Sequence, residues 1–189
     1  MTKSQRVPDP AFGGRPHLSL GNKMARVAWG LAWALLFRFS PRLPGFWAWR
    51  RFLLRCFGAT VGRGVRVYPS ARIWAPWNLT LGDRSLIGAD CDIYSVAPVS
   101  LDAGAWVSQY SYLCTASHEF REPGRPMTCR SIHIGADAWV AADVFIGPGV
   151  NVGPGATVGA RSSVFKDVAP RSVVGGNPAR PLKRRRAGR

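Results

Sequence analysis

Three histidines are the first candidates for chemistry, because imidazole titrates near neutral pH and commonly serves as a general base. They are His17, His118 and His133 in a chain of 189 residues. His17 lies in a polar amino-terminal stretch. His133 precedes an aliphatic residue in a strand-like pattern and is predicted to have a structural role on the outside of a strand. His118 is followed by Glu119 and a long irregular segment, which makes it the preferred candidate for a base.

Four cysteines offer thiol chemistry, but their spacing argues against a zinc site or a disulfide framework. Cys56, Cys91, Cys114 and Cys129 contain no C-x-x-C pair. Unpaired thiols of this kind are typical of a reduced, cytosolic protein. Cys114 follows Leu113 with the phase of an outward side chain and is the candidate for a covalent nucleophile. We favour a base at His118 over this alternative.

A six-residue period positions these side chains. From residue 61 onward, Val, Ile or Leu occupies every sixth position, with three interruptions. A small residue usually stands four positions later, as at Ala105 and Ser117, and glycine often follows the aliphatic residue directly, as at Gly82. The aliphatic positions are Val61, Val67, Ile73, Leu81, Ile87, Ile93, Leu101, Val107, Leu113, Ile134, Val140, Ile146, Val152, Val158 and Val164.

This period fits neither an α-helix nor a simple alternating strand, and it predicts short strands joined by tight turns. Three units make one coil of triangular section, and stacked coils bury a continuous aliphatic column. The fifteen units predict an all-β parallel β-helix of about five coils over residues 59–179. The insertions fall at one corner, and the longest predicts an excursion loop over 118–133, after the third coil.

The β-helix is flanked by segments of different character. Residues 1–22 are predicted to be a flexible basic amino terminus, and 180–189 a basic tail. Residues 23–58 predict an amphipathic helical segment with Asn22 as the N-cap. The tryptophan and arginine content of this segment leaves two interpretations open, a cap on the end of the coils and contact with a membrane surface.

The net charge of +16 is concentrated at the two ends of the chain. Residues 1–57 contain ten basic residues and one acidic residue, and residues 180–189 contain six basic and no acidic residues. Basic ends favour anionic partners such as phosphates or anionic lipid. Nucleic-acid binding is not expected, because no aromatic platform or known motif accompanies the tail. No signal-peptide or membrane-spanning pattern is present, so we expect a cytoplasmic protein, with peripheral contact at the inner membrane as a further hypothesis.

Four runs of the sequence resemble the hexapeptide-repeat acyltransferase family. They are LCTASHEF, IHIGADAWVAADVFIGPGVNVG, VGARSSVFKDV and GGNPAR. The pattern is similar to galactoside, maltose and nodulation-factor O-acetyltransferases, and is most similar to acetyltransferases of the colanic-acid-biosynthesis type. The resemblance implies a left-handed β-helix, a homotrimer, and acetyl-CoA bound between neighbouring subunits.

The resemblance also implies roles for individual residues. His118 matches the catalytic histidine of the S-H-[DE] run and is expected to act in a direct transfer, without an acyl-enzyme. Glu119 is expected to orient the imidazole or to hold Arg121 in the loop. Trp139 matches a family tryptophan that lines the site, and otherwise lies at a subunit interface. Asp92 and Tyr94 are expected to contact acceptor hydroxyls on the ground of their position alone, since both point outward on the face-three strand one coil below His118. The implied coenzyme contacts are Ala142, Gly159, Ala160, Lys166, Arg180 and Lys183.

The favoured function is therefore acetyl-CoA-dependent O-acetylation of a saccharide that is a precursor of exopolysaccharide, capsule or a lipid-linked glycan. Two alternatives stay open: a non-catalytic β-helix scaffold or binding protein, and an N-acetyltransferase acting on an amino sugar or a xenobiotic. A metalloenzyme of the γ-carbonic anhydrase type is rejected, because it needs a cluster of histidine ligands on the repeats. No metal is expected.

Overall fold

Three parallel sheets form the sides of a triangular prism in the computed structural model, which describes residues 19–184. In chain order the strands are β1 (Thr60–Val61), β2 (Arg66–Val67), β3 (Arg72–Ile73), β4 (Leu79–Leu81), β5 (Leu86–Ile87), β6 (Asp92–Tyr94), β7 (Val99–Leu101), β8 (Trp106–Val107), β9 (Tyr112–Cys114), β10 (Ala116–His118), β11 (Met127–Cys129), β12 (Ile132–Ile134), β13 (Trp139–Val140), β14 (Phe145–Ile146), β15 (Asn151–Val152), β16 (Thr157–Val158), β17 (Ser163–Val164), β18 (Ser172–Gly175) and β19 (Arg180–Arg184).

The strands are distributed over three faces in strict rotation. Face one consists of β1, β4, β7, β12 and β15, and face three of β3, β6, β9, β14 and β17. Face two runs through β2, β5, β8, β13, β16 and β18, with β19 antiparallel at its edge. This topology confirms the predicted solenoid of three-sided coils.

The predicted aliphatic column forms the core. All fifteen positions are buried, and none is more than 8% exposed. Equivalent residues of successive coils lie in direct register, as Val61 does with Leu81 and Leu81 with Leu101. Burial of each such side chain contributes about 1.5–3 kcal/mol. Because one coil alone cannot enclose its own aliphatic residues, this stabilisation depends on the stack.

A partial further turn extends the predicted five coils to about six. Val168 pairs with Val152 on face one, and Val174 pairs with Val158 on face two. Both added valines are 5% exposed. The period could not predict this turn, because the step from Val164 to Val168 is four residues instead of six.

Glycines directly after the aliphatic residues are needed where successive coils approach each other. A Cβ atom on Gly82 would lie 2.5 Å from the backbone nitrogen of Ala103 in the next coil. The left-handed backbone conformation occurs two residues later in most units, for example at Arg84 with φ 58° and Gly104 with φ 70°. The two positions therefore have different requirements, the first for space and the second for conformation.

The predicted excursion loop is a β-hairpin that begins earlier than expected. β10 pairs with β11 in antiparallel register, and β12 already resumes the solenoid at Ile132. The expectation that Ser117 points into the core is wrong, because Ser117 lies exposed on the hairpin. Thr115 takes the inner place and is fully buried. Its hydroxyl donates to the Tyr94 carbonyl at 2.7 Å and accepts from the Ala97 N–H at 3.0 Å.

Two helices close the amino-terminal end of the prism. Helix α1 spans Leu20–Ala32 and continues as a π-helical turn, Trp33–Phe37, and helix α2 spans Pro44–Cys56. The N-cap of α1 is Ser19, whose hydroxyl accepts from the Asn22 N–H, so the assignment of Asn22 as N-cap was wrong. Leu53 and Leu54 of α2 belong to the same apolar core as the coils. None of the helices in the described residues has the length and hydropathy of a membrane span.

Side-chain hydrogen bonds fasten the helices to the first coil. The indole N–H of Trp29 donates to the Ile73 carbonyl at 2.6 Å, and that of Trp33 to the Ala71 carbonyl at 2.8 Å. Between the helices, the fully buried Arg50 donates to the Ser40 hydroxyl at 2.7 Å and stacks on Trp47. Burial lowers the pKa of Arg50 to about 10. The helical segment thus packs as a cap on the coils.

Candidate active site

His118 is held at the end of β10 with one imidazole nitrogen occupied. Its Nδ1 lies 2.7 Å from the backbone carbonyl oxygen of Arg125. A carbonyl can only accept, so Nδ1 carries the hydrogen and donates it. In the neutral ring Nε2 is then the unprotonated nitrogen, on an exposed side chain. This is the tautomer that a general base requires.

The hairpin tip that supplies this carbonyl is closed by its own backbone. The Glu119 N–H donates to the Pro126 carbonyl at 3.0 Å, and the Arg125 N–H donates to the Glu122 carbonyl at 3.1 Å. The Glu119 carboxylate accepts from the Arg121 N–H at 3.4 Å. The Nδ1 atom of His118 is therefore hydrogen-bonded to the backbone carbonyl of Arg125, and the Glu119 carboxylate contacts the backbone of the loop.

Asp92 and Tyr94 lie together, half-buried, on the outer side of face three. In the register of the sheet Asp92 lies between Arg72 below and Tyr112 above. Tyr94 packs edge-on against Trp74, with ring centroids 4.9 Å apart. Helix α1 lies across this surface and places the Arg26 guanidinium 4.7 Å from the centroid of the Trp74 ring. The result is a groove between α1 and face three.

The groove has a volume of about 1080 Å³ and a mixed lining of aromatic and charged side chains. Desolvation raises the pKa of Asp92, and the nearby Arg72 opposes this rise. Desolvation likewise raises the pKa values of Tyr94 and Tyr112. The two phenols therefore remain neutral hydrogen-bond donors at physiological pH.

Cys114 lies beneath the hairpin instead of facing solvent. It is 9% exposed, and its Sγ donates to the Ala116 carbonyl at 3.1 Å. Burial raises the pKa of the neighbouring Cys129. A buried thiol with a hydrogen-bonded proton is a poor nucleophile, so the geometry does not favour a covalent mechanism.

The predicted coenzyme residues form two groups on other edges of the prism. Ala142, Gly159 and Ala160 occupy the corner between faces two and three, where the Arg161 N–H donates to the Ala142 carbonyl at 3.0 Å. Beside this corner runs a cleft of about 480 Å³ lined by Tyr110, Tyr112, Phe145 and Arg161 among others.

The second group lies at the carboxy-terminal end. Lys166 and Arg180 line a cleft of about 550 Å³. The side chain of Lys183 lies outside the described part of the chain, as does His17. Trp139 projects from face two, 47% exposed, and its indole donates to the Ser108 hydroxyl at 2.9 Å. The predicted residues therefore do not converge on one face of the chain.

The remaining histidine has the structural setting predicted for it. Nε2 of His133 lies 2.9 Å from a carboxylate oxygen of Asp102 on face one. Within residues 19–184 there is no group of three or more His, Cys, Asp or Glu side chains that could hold a metal ion.

Sequence reasoning missed several residues of the groove. Arg72 and Trp74 flank the inward Ile73 as Asp92 and Tyr94 flank Ile93, so the twenty-residue coil spacing could have predicted their alignment. Arg26 gave no such signal, because the docking position of α1 is not encoded in the period. The contact of the Arg125 carbonyl could not be predicted either, because a backbone group is brought to the imidazole only by the fold of the hairpin.

The fold and site together define a β-helix of hexapeptide coils with an exposed histidine whose Nδ1 is hydrogen-bonded to a backbone carbonyl. Comparison with known proteins agrees with this description. The chain is 42% identical over 165 residues to a protein of Escherichia coli (strain K12) named colanic acid biosynthesis acetyltransferase WcaF, covering 87% of this chain and 90% of the relative. It is 33% identical over 136 residues to nodulation protein L of Rhizobium meliloti (strain 1021), covering 70% and 73%. No protein-family model matches the chain.

A solved structure shares most of this architecture. The hexapeptide-repeat-containing acetyltransferase of Vibrio cholerae O1 biovar eltor, complexed with acetyl coenzyme A, superposes with a TM-score of 0.80 at 27% identity, covering 89% of this chain and 91% of that one. The chain belongs to the hexapeptide-repeat acetyltransferase family and is therefore an acyltransferase. This confirms the resemblance stated from the four sequence runs.

Proposed function

We propose that the protein transfers an acetyl group from acetyl-CoA to a hydroxyl group of a saccharide, with His118 as the general base. The observation that carries the proposal is the 2.7 Å contact between Nδ1 and the Arg125 carbonyl, which leaves Nε2 free to accept a proton. The names of the relatives and the acetyl-CoA complex of the Vibrio protein support the donor and the class of acceptor.

In the proposed reaction Nε2 takes the proton of the acceptor hydroxyl as its oxygen attacks the thioester carbonyl. The tetrahedral adduct collapses with cleavage of the carbon–sulfur bond. The imidazolium then returns its proton to the departing CoA thiolate, so the enzyme ends in its starting state. The Arg125 carbonyl stabilises the transient imidazolium and keeps the ring oriented.

The groove between α1 and face three is the proposed acceptor site. The Asp92 carboxylate accepts hydrogen bonds from sugar hydroxyls, and Tyr94 and Trp74 supply a platform for a sugar ring. The groove reaches the base of the hairpin, because Tyr94 is paired in register with Cys114, two residues before β10. The proposed acceptor site therefore lies beside β9, the strand that leads into the hairpin carrying His118.

The coenzyme is proposed to bind with the contacts Ala142, Gly159, Ala160, Lys166, Arg180 and Lys183, and with Trp139 lining the site. Because these residues lie on edges of the prism other than the one that carries His118, we propose that a neighbouring subunit of a homotrimer completes each site. A sedimentation measurement that gave a monomer with full activity would contradict this arrangement.

We also propose that the enzyme is cytoplasmic and makes a peripheral contact with anionic membrane. One side of α1 and its π-helical extension is apolar and 60% to 74% exposed at Leu20, Met24, Val27, Leu31 and Leu35. Residues 19–57 contain seven basic and no acidic residues, which suits an anionic surface. We expect the protein to pellet with phosphatidylglycerol vesicles and to lose this property in Leu31→Glu, whereas Thr80→Glu on face one has no effect. Equal pelleting of both variants would contradict the contact.

The catalytic proposal is tested by thiol release from acetyl-CoA with free sugars, amino sugars, nucleotide sugars and lipid-linked glycans as acceptors. We expect His118→Ala to lose acceptor-dependent release by about 10²–10⁴-fold while CoA binding by calorimetry is retained. His133→Ala is the matched control, because its imidazole contacts a carboxylate away from the groove. Wild-type rates in His118→Ala would refute the role of the base.

A further inference from the structure

The groove carries more positive charge than neutral sugar hydroxyls require. Its lining includes Lys23, Arg26 and Arg38 from the helical segment and Arg72 from β3, against a single carboxylate, Asp92. Among residues 19–184, none of these four cations forms an ion pair within 4.0 Å. Four unpaired cations around one acid produce a local positive potential that favours a polyanionic group.

Arg26 is the cation of the groove whose guanidinium is held by an aromatic ring. Its Nε is buried and has no hydrogen-bond partner in the described residues. The guanidinium is fixed in place by stacking on Trp74 at 4.7 Å. A buried donor without an acceptor is unfavourable. The Nε atom itself is closed to a ligand, so the terminal nitrogens of this guanidinium, which are not among the buried unpartnered atoms, are the donors available to a phosphate oxygen in the groove. Arg38 is similarly placed, 5.3 Å from the centroid of the Trp33 ring.

The aromatic and cationic parts of the groove lie side by side. Trp74 and Tyr94 form one wall, and the guanidinium of Arg26 lies directly over the first of these rings. A ligand with a sugar ring next to a phosphate group would contact both parts at once. Val27 belongs both to the groove lining and to the exposed apolar side of α1, so the cationic part adjoins a surface suited to lipid.

We propose that the groove binds a saccharide carrying a diphosphate. Arg26 and Arg72 hold the diphosphate, and Lys23 and Arg38 add to the positive potential of the groove. This inference rests on the proposed function, since it specifies the acceptor for the same site. A glycosyl diphosphate occurs in nucleotide sugars and in sugars linked to a polyprenyl lipid. Both sources share the chemistry that the groove recognises.

The test is a calorimetric titration of inorganic pyrophosphate into the full chain saturated with CoA, so that the coenzyme's own phosphate site is filled. We expect binding to wild type and about ten-fold or greater weakening in both Arg26→Gln and Arg72→Gln. Arg63→Gln, an exposed cation outside the groove, is the matched control and keeps wild-type affinity. Arg72 has an exposed side chain on β3, so this variant tests the site even if Arg26→Gln loosens α1.

Two further arms distinguish the sources of the diphosphate. Farnesyl diphosphate binding more tightly than UDP-glucose would assign the lipid-linked form, and the reverse order would assign the nucleotide sugar; either result supports the site. The inference is overturned if pyrophosphate does not bind the CoA-saturated wild type, or binds both groove variants with unchanged affinity. Failure of the proposed function is separately visible, as absent CoA binding or as thiol release that does not depend on His118.

Discussion

Replacing Thr115 by valine tests whether one buried hydroxyl fixes the base of the hairpin that carries His118. Thr115 is fully buried, and its hydroxyl accepts from the Ala97 N–H and donates to the Tyr94 carbonyl. Valine keeps the shape and removes both hydrogen bonds. The Ala97 N–H is then left without an acceptor, whereas the Tyr94 carbonyl still accepts from the Thr115 N–H at 3.2 Å.

The expected loss follows from this asymmetry. An orphaned buried N–H costs about 1–3 kcal/mol, and the lost bond to a carbonyl that keeps another donor costs about 0.5–1.5 kcal/mol. Thr115→Val should therefore lower the free energy of unfolding by about 1.5–4.5 kcal/mol. Thr115→Ser retains the hydroxyl and should lie closer to wild type, losing only one buried methyl group.

Urea unfolding followed by tryptophan fluorescence measures this loss as a shift of the midpoint at constant slope. The protein concentration must be equal for all variants, because association contributes to apparent stability. Ser117→Ala is the matched control, since the six-residue period predicts an inward Ser117 whereas the structure exposes it. A cost of less than about 0.5 kcal/mol for Thr115→Val, or an equal cost for Ser117→Ala, would refute the reasoning.

Three other substitutions probe separate parts of the molecule. Gly82→Ala should destabilise the protein by more than about 2 kcal/mol, because its Cβ would lie 2.5 Å from the next coil. Gly30→Ala, whose Cβ would have nothing within 4 Å, should stabilise α1 by about 0.5–1 kcal/mol. Equal urea midpoints for the two variants would contradict the steric argument. Burial raises the pKa of Asp92, so its ionisation opposes folding above that pKa and ceases to matter below about pH 4. Asp92→Asn should therefore raise stability at pH 8, with a gain that disappears towards pH 4, and lower acetyl transfer; a loss of stability at pH 8 would contradict this sign. Trp29→Phe removes the buried indole donor to Ile73 and should cost about 1–3 kcal/mol, measured by the same urea unfolding; an unchanged midpoint would show that the indole bond does not fasten the helix.

The six-residue period predicted the coils because it records a local and repeated requirement. Each unit needs one inward aliphatic side chain, and all fifteen that were identified are buried. The same reasoning failed wherever the requirement was no longer repeated. The turn through Val168 follows a step of four residues, and Thr115 replaces Ser117 because the hairpin leaves the coil two residues early.

The six-residue period could not predict how the helices pack on the first coil, for a different reason. The bond from Trp29 to Ile73 joins residues 44 positions apart, and nothing in the spacing of either segment specifies the other. For the proposed site, the pattern and the resemblance supplied His118, Asp92 and Tyr94, whose roles stay predictions. They could not predict Arg26, whose position depends on how the helix lies on face three.

The solenoid separates the residues that stabilise it from those that are available for chemistry. On β6 the inward Ile93 is fully buried in the column, while Asp92 and Tyr94 on either side of it face the groove. The coil below repeats this arrangement with Arg72 and Trp74 around Ile73. Because outward positions contribute little to the aliphatic column, their side chains can change without loss of the main stabilising term. If the groove is the acceptor site as proposed, its specificity can vary through the outward residues of face three and the helix that covers them, whereas the position of His118 stays fixed by the backbone of its hairpin.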